Sequence, residues 1–162
     1  MRTSPCANNP LLQQFDMVLK NRLETILNVQ LSDTQWKQAS LPVHRRGLGV
    51  RSACMLSPSA FLASAAATLP LQEAILSALV AGADDTAVSN IKTMWSCLAK
   101  TTETSDLSKH IQRAWDAPVT NAAYNVLIST SQSPVDLAKL KAVVTPHACY
   151  MLHADSCWPR AV

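Results

Sequence analysis

The sequence predicts an all-α fold, an irregular multi-helix bundle of about seven to nine short helices with no sheet. Aromatic residues make up 5% of the 162 residues and apolar residues 48%. With abundant alanine, this composition suits closely packed helices better than strands. Start signals for helices recur along the chain as a capping residue followed by proline, and apolar residues follow them at steps of three and four.

The first helix is predicted to begin at Asn9-Pro10, because asparagine can cap free N–H groups and proline suits the first turn. Its apolar residues recur at helical spacing over about five turns. The predicted inward stripe is Leu12, Phe15, Leu19, Ile26 and Val29, and the predicted outer side carries Asp16, Lys20 and Glu24. Ser32 or Asp33 is then expected to cap a short second helix, which Pro42 stops.

Prolines are interpreted as the starts and stops of the later helices. Ser57-Pro58 and Pro70 are each predicted to open a separate helix, and Pro118 to end a helix that begins at Asp106. Further helices are predicted over Thr86 to Lys100, around Ala123 to Leu127, and after Ser133-Pro134 and Thr145-Pro146. The uncharged run from Ser52 to Gln72 contains two prolines and several hydroxyl residues, so we expect a buried helix pair there rather than a membrane span.

The densest basic cluster surrounds a glycine turn that follows the second helix. The formal net charge is +3, yet no carboxylate occurs between Asp33 and Glu73. Gly47 and Gly49 straddle a leucine, which predicts a tight turn with positive φ angles or close backbone approach. The candidate phosphate contacts are Lys37, His44, Arg45, Arg46 and Arg51. A solvated basic face and a packing turn between helices are the alternatives, and both are commoner.

Two other patterns were considered for metal chemistry. Gly82-Ala83-Asp84-Asp85 resembles the aromatic-Ala-Asp-Asp hairpin tip at which polymerases bind two metal ions, but glycine replaces the aromatic residue and no strand precedes it. A helix end followed by an N-cap is predicted there instead. The tail supplies His147, Cys149, His153 and Cys157, whose spacing does not match a standard zinc finger. We therefore assign no metal and predict a frayed final helix, with a zinc site as the alternative.

Five scattered cysteines and the lack of a signal peptide predict reduced thiols in an intracellular protein, in the cytoplasm or the nucleus. For a Cys/His nucleophile pair in the tail, the sequence marks neither an orienting third group nor an oxyanion site. We therefore assign no catalytic residue, no cofactor, no small-molecule substrate and no membrane partner.

Residues 12–67 resemble the region just beyond the polymerase palm in reverse transcriptases of non-LTR (LINE-type) retrotransposons. The resemblance rests on the order and spacing of four motifs. They are Phe15-Asp16 with Leu23-Glu24-x-Ile26, then Leu31-x-Asp33-x-x-Trp36-x-Gln38-Ala39-x-Leu41-Pro42-Val43, a turn of the Gly-Gly-Leu-Gly-Val-Arg-Ser-Ala type, and Pro58-Ser59-Ala60-Phe61-Leu62-Ala63-Ser64. A looser similarity continues over Leu137–Leu152, where Pro146-His147 and Leu152-His153 fall in a family segment that contains His and Trp.

The positions at which this sequence departs from the family determine which of the family's functions the resemblance implies for this chain. Arg46 stands where the family has the first glycine of the turn, and Cys149-Tyr150-Met151 replaces a small-acidic-Trp pattern. The palm of the family, with its catalytic Asp residues, has no counterpart in this sequence. The resemblance therefore implies a segment of an RNA-directed DNA polymerase without its catalytic centre, from a truncated copy of such an element.

By this resemblance the chain divides into a disordered N-terminus (1–7), a thumb-like helical segment with the basic glycine turn (8–53), a helical connector (54–145), and a C-terminal helix with a frayed tail (146–162). The implied function is that of a non-catalytic fragment that binds the backbone of RNA or an RNA–DNA hybrid weakly. Docking on a missing palm domain is the other implied partnership. The alternative function is a protein-interaction module that docks on a partner through exposed apolar helix faces.

Overall fold

The computed structural model describes residues 3–76, 86–101 and 111–131, together with 134, 135, 137 and 138. The elements are α1 (Pro10–Leu27), α2 (Asp33–Ala39), a 3₁₀ turn (Val43–Arg45), α3 (Ala53–Leu76), α4 (Thr86–Ala99) and α5 (Gln112–Thr130). The described residues contain no strand, which confirms the all-α class. The prediction of seven to nine helices exceeds the five α-helices found in this part of the chain.

Prolines inside helices account for much of this difference. Pro58 and Pro70 both lie within α3, and Pro118 lies within α5, so the predicted helix boundaries at these three residues are wrong. Pro58 lacks the N–H that would bond to the carbonyl of Cys54, four residues earlier. The hydroxyl of Ser57 donates to that carbonyl at 3.3 Å, and α3 continues through the proline.

The main core lies where α3, α4 and α5 meet. Its buried residues are Leu62, Ala63, Ile91, Trp95, Ala99, Trp115 and Val119. The indole rings of Trp95 and Trp115 lie edge to face, with their centroids 5.1 Å apart. The carbonyl of Trp115 accepts hydrogen bonds from the Trp95 indole at 2.8 Å and from the buried Ser59 hydroxyl at 3.3 Å. These donors reach the backbone of α5 in the turn before Pro118, where proline disturbs the helical hydrogen bonds.

Small side chains let α3 pass close to its neighbours. Ser57, Ser59, Ala60 and Ala63 are all buried along this helix. One segment of α3, Ala53–Gln72, is long and apolar enough to cross a membrane by length and composition alone, with a mean hydropathy of 1.4 and 33% of it buried in the fold. Core helices of soluble proteins pass the same test. The predicted pair of helices in this region is a single helix.

The first two helices start where the sequence predicts. The side chain of Asn9 accepts a hydrogen bond from the N–H of Leu11 at 2.9 Å and caps α1. Ser32 caps α2 in a capping box with Gln35. Lys20 on α1 lies 3.3 Å from the carboxylate of Asp33, so an exposed ion pair connects these two helices.

Candidate functional site

The basic turn (residues 42–51) folds back onto the end of α2. The N–H of Leu48 donates to the carbonyl of Ala39 at 2.9 Å, and the N–H of Gly49 donates to that of Leu41 at 3.0 Å. Helix ends leave carbonyl groups without intrahelical partners, and these two bonds satisfy such groups. The basic turn is therefore a hydrogen-bonded structure and not a loose loop.

Three residues of the basic turn have backbone geometries that favour glycine. A Cβ atom on Gly47 would lie 1.7 Å from the carbonyl oxygen of Leu41, which leaves no space for any side chain. Gly49 adopts a φ of +74°. Arg46 adopts a φ of 67°, in the left-handed region that costs an L residue about 1–2 kcal/mol.

Two of the five candidate phosphate contacts are bonded to α5. The Nη2 of Arg45 donates to Oδ1 of Asn121 at 2.6 Å, and its guanidinium carbon lies 5.3 Å from the centre of the Tyr124 ring. The Nη2 of Arg51 lies 2.6 Å from Oδ1 of Asp116, in a largely buried ion pair. These contacts fasten the basic turn to α5 and occupy part of each guanidinium group.

The other three candidate contacts differ in exposure. Lys37 and His44 are exposed, whereas Arg46 is half-buried. The Nε atoms of Arg45 and Arg46 are buried and have no hydrogen-bond partner. Lys37 at the end of α2 and His44 in the basic turn are therefore the most open to solvent, while Arg45 and Arg51 also contact α5.

A buried carboxylate on α1 holds the amino end of α3. Asp16 accepts hydrogen bonds from the Ser52 hydroxyl at 2.6 Å, from the N–H of Ala53 at 2.7 Å and from the N–H of Cys54 at 3.2 Å. Burial, together with the Asp16 carboxylate, raises the pKa of the Cys54 thiol to about 11. An anion at a helix amino end is favoured by the free N–H groups and the helix dipole. The arrangement positions α1 against α3, and we assign it no chemistry.

This attachment turns the predicted apolar stripe of α1 partly outward. Asp16, predicted on the outer side, is buried, while Phe15, Ile26 and Val29, predicted inward, are exposed. Leu12, Leu19 and Leu23 line the half-buried side of α1. The prediction is therefore wrong for four of its members, because the Asp16 contact to Ser52 sets the rotation of the helix.

One solvent-facing row on α1 is apolar except for a single cation. We call it the outer stripe, and it consists of Leu11, Phe15, Val18, Arg22 and Ile26. Steps of four, three, four and four residues place these side chains on one face of a helix. The apolar members are 62%, 55%, 58% and 80% exposed, in that order. Such a contiguous exposed apolar surface is typical of an interaction site.

An open groove lies between α4 and α5. Its described lining is Ala99, Lys100, Thr101, Pro118, Asn121, Ala122, Asn125, Val126 and Ser129. This lining carries amides, hydroxyls and one lysine, but among these residues no carboxylate, imidazole or thiol. The donor set does not match that of an acid–base or nucleophilic centre.

Several predicted features lie outside the described residues. These are the Asp84-Asp85 pair, the helix start at Thr145-Pro146, and the tail residues His147, Cys149, His153 and Cys157. Within the ranges that are described, no group of three or more His, Cys, Asp or Glu residues is placed to hold a metal ion. Cys6, Cys54 and Cys97 are free thiols.

Sequence reasoning missed the residues that hold the basic turn and α1 in place. Asp116, Asn121 and Tyr124 on α5 receive the arginines of the turn, which lie 65 to 79 residues away in sequence. From the sequence, Asp16 is predicted only to be a polar residue on the outer side of the first helix. Asp16 lies beside apolar residues, and a Ser-rich helix start follows further along the chain. Together these features indicate that Asp16 could be a buried helix cap, but they do not indicate which helix it caps.

In comparisons with protein-family models, curated proteins and solved structures, no match was found.

Proposed function

We propose that this chain is a non-catalytic helical module that docks on a partner through the outer stripe of α1. The observation that carries the proposal is the exposure of Leu11, Phe15, Val18 and Ile26 along one face of the helix. Burial of apolar surface contributes about 25 cal/mol per Å², so covering four such side chains is a large driving force for association.

The scaffold presents the outer stripe in a defined orientation. On the neighbouring side of α1, Asp16 is bonded to three groups at the start of α3, and Leu12 and Leu19 are half-buried. A surface held in place before binding loses less conformational freedom when the partner arrives. The exposed apolar side chains are therefore arranged as a preformed docking face.

The resemblance to the reverse transcriptase thumb and connector supports the same proposal. In that family the corresponding segment follows a palm domain, so the resemblance implies a palm domain as a docking partner. The proposal assigns no polymerase activity, because the resemblance covers the thumb region and not the metal-binding carboxylates that phosphoryl transfer needs.

A second candidate function is weak binding to the backbone of RNA or an RNA–DNA hybrid. The observation that favours it is the exposure of Lys37 and His44 beside the arginines of the basic turn. An arginine has five N–H donors, so the bonds of Arg45 and Arg51 to α5 leave other donors for phosphate. Because part of each group is already engaged, we expect low affinity and strong dependence on salt.

The docking proposal is tested with a synthetic amphipathic helix of about 18 residues whose apolar stripe has glutamine at its centre. Fluorescence anisotropy measures its binding to the full chain and to a Phe15→Ser/Ile26→Ser variant. We expect the double substitution to weaken binding at least about tenfold, since it removes two of the four apolar side chains of the stripe. Met17→Ser is the matched control, because Met17 is 57% exposed but lies on another side of α1. Equal binding by all three proteins would refute the proposal.

The second candidate is tested by filter binding of a labelled RNA–DNA hybrid across a salt series. Replacing Lys37, His44 and Arg46 with alanine is expected to weaken binding and to reduce the salt slope by about one unit for each lost lysine or arginine contact. An unchanged slope would rule out phosphate contacts by these residues.

A further inference from the structure

The outer stripe contains one charge, Arg22, and it lies towards the carboxyl-terminal end of the stripe. Arg22 is exposed and comes four residues after Val18 and four before Ile26, so it interrupts the apolar row between two hydrophobic neighbours. Gln14, Asn21 and Thr25 border this face on its open side and are uncharged. A partner that covers the stripe must therefore accommodate one guanidinium group.

Arg22 makes no ion pair with any described residue, and the described carboxylates on α1 and at the start of α2 are engaged elsewhere. Asp16 is buried on another side of α1, where it accepts a hydrogen bond from Ser52. Glu24 accepts a hydrogen bond from the N–H of Leu31 at 2.9 Å. Asp33 pairs with Lys20. The positive charge of Arg22 has no counter-charge on its own face of α1.

Covering an unpaired cation is costly, because the guanidinium loses water without gaining a partner. A carboxylate on the covering surface would replace that water with two parallel hydrogen bonds in the geometry that arginine favours. The aliphatic part of Arg22 would meanwhile extend the apolar contact between Val18 and Ile26. Charge complementarity thus specifies one chemical feature of the partner, a carboxylate that faces Arg22.

We propose that the outer stripe binds an amphipathic helix whose apolar row carries a single Asp or Glu at its middle, paired with Arg22. This inference rests on the docking function proposed above and specifies the class of partner. Helix-on-helix recognition fits the stripe, because its members extend along α1 for about four turns, or roughly 22 Å.

A second copy of this chain does not meet that requirement. Two outer stripes placed antiparallel with their ends aligned would lay each Arg22 against Phe15 of the other copy, with no carboxylate from either stripe. Like charges across a helix pair oppose association, and unpaired charges in an interface act against the wrong partner. The stripe therefore selects against its own copy and for an acidic-centred helix.

The test compares three synthetic helices that differ only in the central residue of the apolar row, which is glutamate, glutamine or lysine. Binding to the full chain is measured by fluorescence anisotropy. On the wild type we expect the glutamate helix to bind about fivefold more tightly than the glutamine helix, and the lysine helix to bind most weakly. In Arg22→Gln the difference between glutamate and glutamine should vanish while binding of the glutamine helix persists. Lys20→Gln, which removes a cation from another side of α1, should keep the full difference.

Each outcome of this experiment separates the two proposals. If the glutamine and glutamate helices bind the wild type equally well, the acidic-centred partner is refuted while the docking function stands. If none of the helices binds, both proposals are refuted. If sedimentation shows a wild-type dimer that Phe15→Ser/Ile26→Ser dissociates, the occupant is a second copy and the inference is wrong. Far-UV circular dichroism verifies that each variant is folded.

Discussion

Asp16 accepts a 2.6 Å hydrogen bond from the Ser52 hydroxyl, and the two residues join the middle of α1 to the first turn of α3. The same carboxylate accepts from the N–H groups of Ala53 and Cys54. Residues far apart in sequence thus form the amino-terminal cap of the longest described helix. Because this contact sets the rotation of α1, it also decides which of its side chains face solvent.

Asp16→Asn is expected to lower the free energy of unfolding by about 2 kcal/mol, because the amide cannot accept all three hydrogen bonds and carries no charge at the helix end. Urea unfolding followed by circular dichroism measures the change. Asp33→Asn is the control, since the Asp33 side chain is 92% exposed in its ion pair with Lys20 and should cost less than about 0.5 kcal/mol. Equal losses in the two variants would show that Asp16 does not support the fold.

Arg46→Gly is expected to raise the free energy of unfolding by about 0.5–1 kcal/mol, because glycine adopts the left-handed φ of 67° without strain. Gly47→Ala should have the opposite effect and cost at least about 3 kcal/mol, since its Cβ would meet the backbone of Leu41. Thermal unfolding of the two variants beside the wild type measures both effects. A destabilised Arg46→Gly variant would mean that the arginine side chain contributes more than its backbone strain costs.

The raised pKa of the Cys54 thiol, about 11 in the folded chain, makes stability depend on alkaline pH. Burial and the Asp16 carboxylate disfavour the thiolate, so the unfolded chain releases this proton first as pH rises. The neutral thiol contributes fully to the free energy of unfolding below about pH 9, which is the ordinary pKa of a cysteine thiol. This contribution is lost as pH rises towards 11.

The corresponding measurement is urea unfolding of the wild type and of Cys54→Ala at a series of pH values. The stability of the wild type should fall relative to that of the variant between about pH 9 and pH 11. If the free energies of unfolding of the two proteins change in parallel over this pH range, the pKa of Cys54 is not raised by folding. As an independent check at neutral pH, iodoacetamide should modify the exposed Cys97 faster than Cys54.

Asp116→Asn is expected to release Arg51 from its 2.6 Å ion pair and so to strengthen hybrid binding by the basic turn. One freed arginine should make the salt slope of RNA–DNA hybrid binding steeper by about one unit. The double variant Asp116→Asn/Arg51→Ala is the control and should lose this gain. If Asp116→Asn leaves affinity and slope unchanged, Arg51 does not contact phosphate.

Local signals allowed the first part of the fold to be predicted. Asn9-Pro10 and Ser32 cap α1 and α2 because capping depends on residues within one turn of the helix end. The prediction that Pro58 starts a helix also rests on a local signal, and it is wrong. The same Ser-Pro pair that suits a first turn also lets the Ser57 hydroxyl bond the carbonyl of Cys54 inside a helix.

Contacts between distant residues were beyond the sequence analysis. The spacing of apolar residues on α1 is compatible with more than one inward face, and the bond between Asp16 and Ser52 selects among them. In the same way, the cluster of arginines showed a basic turn, but their bonds to Asp116 and Asn121 depend on how α5 packs. Periodicity and charge give the surfaces of each helix, while tertiary hydrogen bonds decide which surface is left free.

The most direct test of the docking function is an amide NMR titration of the ¹⁵N-labelled full chain with the glutamine-centred amphipathic helix. The account predicts saturable chemical-shift changes concentrated on α1 around Phe15, Val18, Arg22 and Ile26, with the basic turn largely unaffected. Shifts confined to other elements, or a spectrum unchanged at saturating peptide, would contradict it.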